Sequence, residues 1–230
     1  MPKTLSIKDL KFAWPSARKP TINIDLLEID QGEKVFIKGP SGSGKSTLLN
    51  LIGGVIEPQN GDDLFSGETL FSRGASERDK FRADHMGFIF QMFNLLPYLS
   101  AKDNVLLPCR FSKLKSEKIA LSGKSLDQEA ERLLLELGLS RDSFNGKNVT
   151  DLSVGQQQRV ATARALMGRP ELIIADEPTS ALDTEARDNF MSLLFRECGL
   201  FKSTLVFVSH DSQLGSRFDR VINLEEINAS

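Results

Sequence analysis

Gly39-Pro40-Ser41-Gly42-Ser43-Gly44-Lys45-Ser46-Thr47 fits the pattern G-x-x-x-x-G-K-[ST], with Thr47 extending it. Lys34-Val35-Phe36-Ile37-Lys38 before it reads as a short buried strand, and Ser46 to Ile52 after it reads as a helix. A strand, a glycine turn and a helix start aim a row of backbone N–H groups at one point. Together with the helix dipole they make a site for a polyphosphate. Gly42 and Gly44 let the backbone wrap closely. Lys45 is placed to reach β- and γ-phosphates, and the Ser46 hydroxyl to meet Mg²⁺.

The frame around this loop is that of an α/β protein. Leu5 to Leu10 and Ile22 to Leu26 alternate as strands of a small antiparallel sheet, joined through a turn at Lys11 to Pro20. Trp14, the only tryptophan, reads either as core packing or as an aromatic face for an adenine ring. Glu57 to Asp62 is a turn cluster, Ser76 to Asp84 a helix, and Met86 to Phe90 a strand ended by Gln91. From Met92 to about Val149 the pattern changes to a mainly helical insertion. Its dense apolar patch (Met92, Phe93, Leu95, Leu96, Tyr98, Leu99) comes with Pro97 and Pro108, and Lys113 to Lys124 is a Ser/Lys-rich surface segment, mobile or helical. A helix over Gln128 to Leu137 stops at Gly138. The patch reads as internal packing or as a groove for a partner helix.

Ser153 then caps a helix, with Gln156 at capping-box spacing. The box accounts for those two residues but not for an exposed Gln156-Gln157-Gln158 run. With Gly155 in its first turn, this helix start is a second anion site, and one nucleotide core with two such starts points to service of another subunit. Glu171 to Glu177 reads as a buried strand ending in two carboxylates, Asp176 for Mg²⁺ and Glu177 as the base for an attacking water. A helix follows from Thr184, and a strand over Ser203 to Ser209 ends at His210.

A net charge of -2 gives no case for nucleic acid or an anionic membrane surface. No apolar run approaches the roughly 20 residues a bilayer requires, and the first residues carry charges where a signal peptide is apolar. Cys109 and Cys198 read as reduced and structural. The expectation is a cytoplasmic protein that meets a membrane through a partner.

This set resembles the ATP-binding subunit of an ABC transporter over nearly the whole chain. Lys45 and Ser46 match the Walker A motif, Gln91 the Q-loop, and Leu152-Ser153-Val154-Gly155-Gln156 the signature. Asp176-Glu177 matches Walker B, Ser180-Ala181-Leu182-Asp183 the D-loop and His210 the switch histidine. Val154 stands where the family signature usually carries glycine. The resemblance implies a P-loop core at 1–91 and 160–230 with a helical subdomain at 92–159. It assigns catalysis to Glu177, His210 and Gln91, and metal to Ser46, Gln91 and Asp176. ATP would be held by Trp14, with Phe12 the alternative, by Gly39, Ser41, Gly42, Ser43, Gly44, Lys45, Ser46 and Thr47, and by Ser153, Gly155, Gln156 and Asp183. Phe88 to Pro97 with Asp103 to Pro108 is similar to the lipoprotein-release, macrolide-export and cell-division subgroup. That implies an ATP-dependent homodimer and an integral-membrane permease docked on Met92 to Leu107, peripheral on the inner membrane. The alternative is a soluble ABC ATPase acting on ribosomes or DNA.

Overall fold

A computed structural model describes residues 2–15, 17–144, 147–180 and 182–229, with the backbone alone at Asp62 and Asp63. In chain order the elements are β1 (Lys3–Phe12), β2 (Ile22–Asp30), β3 (Lys34–Lys38), α1 (Lys45–Ile52), β4 (Asn60–Phe65), β5 (Glu68–Thr69), α2 (Ala75–His85) and β6 (Met86–Ile89). There follow α3 (Ala101–Phe111), α4 (Lys113–Ala120), α5 (Leu126–Glu136), α6 (Arg141–Phe144), α7 (Val154–Leu166), β7 (Leu172–Asp176), α8 (Thr184–Phe201), β8 (Thr204–Val208), β9 (Arg220–Asn223) and α9 (Leu224–Ile227). The chain divides into two compact units, one of Met1–Arg82, Ile174–Glu177 and Thr204–Ser230, the other of Ala83–Ile173 and Pro178–Ser203.

The first unit carries two sheets. In one, β1 pairs antiparallel with both β2 and β4, and β5 extends the edge in the order β2-β1-β4-β5. Leu5 and Ile7 of β1 point inward, yet so do Leu10 and Phe12, which have the opposite parity. The phase changes at Asp9, whose φ of 50° marks a bulge, and the β1–β4 register shifts between Lys8 and Lys11. Gly61 of β4 lies against that bulge: a Cβ there would sit 2.5 Å from the Asp9 carbonyl oxygen. The other sheet is parallel across β8, β3 and β9, with Val35, Phe36, Ile37, Val206, Phe207 and Val208 fully buried. This continuous apolar run is what a sheet covered on both faces requires. The Thr4 and Thr204 hydroxyls meet at 2.8 Å and tie the two sheets together.

The second unit is mainly helical and includes β6. Buried Val105, Leu133, Leu134, Phe144, Val149 and Val160 form its core. Arg132 donates to Glu129 at 2.8 Å and to Glu197 at 2.9 Å, and both carboxylates are almost wholly buried. Breaking such a group by removing one partner costs about 3–5 kcal/mol, because a bare charge stays buried. Lys115 of α4 donates to the Met86 carbonyl at 2.7 Å, and burial pushes its ammonium down to about 8. Cys109 and Cys198 are free and buried.

Several expectations change. The turn cluster at Glu57 to Asp62 gives way to strand at Asn60, because pairing with β1 overrides an Asn-Gly-Asp-Asp composition. The Ser/Lys-rich segment takes the helical of its two readings, as α4, but it is not wholly at the surface, since Lys115 and Ile119 are buried.

Candidate functional site

The glycine loop leaves β3 at Lys38 and enters α1 through Gly44, whose φ is 95° and which supplies no side-chain cap. A Cβ at Gly44 would lie 3.0 Å from Ile22 Cδ1 and 3.1 Å from the Thr21 carbonyl oxygen, so glycine alone fits. The first N–H groups of α1 are therefore left without a side-chain acceptor. Lys45 curls back and its ammonium donates to the carbonyls of Gly39 at 2.8 Å and Pro40 at 2.7 Å. The Ser43 hydroxyl is buried with no hydrogen-bond partner, an unmet polar group inside the turn. Ser41, Gly42 and Ser46 are exposed, and Thr47 is half-buried.

Two strand ends complete this part. Asp176 closes β7, and burial raises its carboxyl above the ordinary value against a hydrogen bond from Ser46 and the nearby Lys45 charge, with the Glu177 charge raising it further. Glu177 stands in the left-handed region at φ 47°, a strained backbone for a non-glycine residue, and its N–H donates to the Val208 carbonyl at 2.9 Å. Its carboxylate meets His210 Nδ1 at 2.5 Å; the imidazole is exposed while Glu177 is mostly covered. Among the described residues no three His, Cys, Asp or Glu side chains gather as a metal site. The Ser46 hydroxyl with the Asp176 carboxylate is instead a hard-oxygen pair, which suits Mg²⁺ sharing its shell with phosphate and water.

Trp14 is 44% exposed, so it is not core. Buried Phe12 meets it edge-on with ring centroids 5.0 Å apart, leaving the indole as the available aromatic face. Gln59 clamps this segment by accepting from the Ala13 N–H at 2.7 Å and donating to its carbonyl at 2.9 Å. Nothing in the sequence signals that clamp.

The second unit holds the remaining residues. Ser153 caps α7, its Oγ accepting from the Gln156 N–H at 3.3 Å while Gln156 Oε1 accepts from the Ser153 N–H at 2.9 Å. Gln157 donates to the Leu152 carbonyl at 2.9 Å. Gln158 is fully buried and donates to the Pro178 carbonyl, so the three glutamines are not one exposed run. Val154 is 55% exposed, beside half-buried Gly155. Asp183 caps α8 by accepting from the Ala186 N–H at 2.8 Å; Ala181 lies outside the described residues. Gln91 is exposed in a turn two residues beyond β6 rather than in the strand, and Met92 beside it is 82% exposed. Arg164, which no motif singles out, donates to the carbonyls of Phe93 and Asn94.

Residues 23–180 match the family model described as ABC transporter. The macrolide export ATP-binding/permease protein MacB of Pasteurella multocida is 40% identical over 200 residues, 87% of this chain and 29% of that protein. The chain thus spans under a third of this relative's length. The lipoprotein-releasing system ATP-binding protein LolD of Francisella tularensis is 38% identical over 224 residues, 96% of this chain and 91% of that protein. Among solved structures, the ATP-binding cassette MJ0796, dimeric and bound to ADP and Pi in a post-hydrolysis state, is 34% identical with a TM-score of 0.83, covering 95% of this chain and 93% of that one.

Proposed function

We propose, from the premise that this chain belongs to the ABC transporter family and is an ATPase of it, that two copies sandwich two ATP molecules and drive a membrane permease. The observation that carries the reading is the pair of strand ends in the first unit. There Asp176 stands near Ser46 and Lys45, and Glu177 meets His210, within the unit that holds the glycine loop.

The open N–H groups of α1 and the loop receive the phosphates. Lys45 exchanges the carbonyls of Gly39 and Pro40 for phosphate oxygens, and Trp14 offers its face to adenine. Mg²⁺ held by Ser46 and Asp176, directly or through water, would neutralise charge on the β- and γ-phosphates. Glu177 takes a proton from the attacking water as that oxygen bonds to the γ-phosphorus and the bond to the ADP oxygen breaks. His210 holds the Glu177 carboxylate in place and turns toward the γ-phosphate. Ser153, Gly155 and Gln156 of the partner copy supply the far side of that phosphate, with Asp183 at the same interface. Gln91 reports the state of the nucleotide to the Met92–Leu107 region, where a permease docks. The work is of the kind named for the relatives, lipoprotein release or macrolide export. Such a chain is peripheral on the inner membrane, and among the described residues no helix is long and apolar enough to cross one.

The purified chain should release inorganic phosphate from ATP with no acceptor added, which separates a hydrolase from a kinase. Drawn from mildly solubilised native membranes with ATP, the Glu177→Gln chain should bring a permease with it in fixed ratio. Ribosomal or DNA-associated partners without a membrane protein would contradict the permease reading.

A further inference from the structure

The turn after β6 is strained and is held by one side chain far away in sequence. Phe93 and Asn94 both stand in the left-handed region, at φ 56° and 49°. For a bulky phenylalanine this conformation persists only where its surroundings impose it. The turn closes tightly, with the Phe93 N–H donating to the Phe90 carbonyl at 3.0 Å and the Asn94 N–H to the Met92 carbonyl at 2.6 Å. Its geometry turns the Phe93 and Asn94 carbonyls toward the last turn of α7. There Arg164 donates Nη2 to Phe93 O and Nη1 to Asn94 O, each at 2.6 Å. Burial holds the guanidinium below its ordinary value, and among the described residues no carboxylate pairs with it. The cation is therefore satisfied by this turn and by the negative end of its own helix. Asn104, fully buried on α3, secures the next stretch by accepting from the Leu96 N–H at 2.8 Å and donating to the Leu96 carbonyl at 3.1 Å.

We infer that Arg164 is a positioning residue for hydrolysis: its two-pronged grip fixes the turn that aims Gln91, and makes that turn one piece with the helix that begins at Ser153. Exposed Met92 is presented by the same grip, so a load on Met92 reaches Gln91 and α7 together. The inference rests on the reading of Gln91 as a participant in hydrolysis.

Arg164→Lys tests it, because an ammonium keeps the charge but cannot fork to two carbonyls. In the full chain with Mg-ATP, kcat should fall about tenfold or more, as displaced catalytic groups do. Affinity for a fluorescent ATP analogue should stay within about twofold, since ordinary additivity leaves a distant loop undisturbed. Gln91→Ala should also slow hydrolysis, and the double variant should be no slower than Gln91→Ala alone. Amide exchange at residues 92–95 should accelerate while α7 stays protected, which shows that the variant is folded. Effects that multiply in the double variant, or unchanged exchange at 92–95, would overturn the inference. If Gln91→Ala leaves kcat unchanged, the reading of Gln91 fails, and the exchange measurement still decides whether Arg164 holds the turn.

Discussion

The two helix starts suited to phosphate, at α1 and α7, are finished in opposite ways. α1 begins at a left-handed glycine with no side-chain cap, a buried unpaired Ser43 hydroxyl, and a lysine folded onto its own loop. α7 begins at Ser153 with a reciprocal box to Gln156 and a further bond from Gln157 to Leu152. The first offers its opening N–H groups no side-chain acceptor; the second has a fixed cap, with Ser153 accepting from the Gln156 N–H. A site that must grip a nucleotide is left incomplete in the free chain. On the proposed reading, the α7 start meets that nucleotide from a second copy, and its cap is formed in advance, at little ordering cost on association.

Three changes break or sharpen this contrast. Glu177→Gln, which keeps the shape beside the open start but removes the base, should lower hydrolysis by about 10²–10⁴ while nucleotide binding persists. Steady-state phosphate release and a binding titration measure the two. Gly44→Ala forces a side chain into φ 95° against Ile22 and Thr21 and should cost about 1–3 kcal/mol in denaturant unfolding, with weakened nucleotide affinity. Ser153→Ala removes the cap of the finished start and should cost about 1 kcal/mol. It should leave the single chain's affinity for nucleotide unchanged, so equal weakening by Ser153→Ala and Gly44→Ala would erase the contrast.

The smallest effect lies in the self-satisfied interior of the second unit. Burial acts to raise Glu171, but hydrogen bonds from His85 and Lys118 outweigh it and hold the carboxyl down to about 2. A carboxyl held below its ordinary value of 4.5 stabilises the fold above that pH and loses the contribution as pH falls toward 2. Glu171→Gln should therefore lower the unfolding free energy at neutral pH by no more than about 1 kcal/mol after solvent screening, read by denaturant unfolding, and the deficit should shrink below pH 4.5.

What was legible in the sequence is local chemistry. The Gly39 to Thr47 loop and the Ser153–Gln156 box each declare themselves within a few residues, because a turn and a cap are set by their own chain. Asp176, Glu177 and His210 are readable as polar residues at the ends of apolar runs. What was hidden depends on distant partners. β4 is strand because β1 imposes it, and the Asp9 bulge is needed only because Leu10 and Phe12 must face inward. Gln158 looks like its two neighbours until Pro178 is seen to accept from it. Arg164 grips carbonyls some seventy positions away, and neither carbonyl carries any sequence signal.

Light scattering on the Glu177→Gln chain in saturating Mg-ATP tests most directly whether the open start of one copy is completed by the finished start of another. The account predicts a dimer with ATP that returns to monomer with ADP, and monomer in both when Ser153→Ala is added. A chain that binds ATP through Lys45 yet stays monomeric at every nucleotide concentration would contradict it.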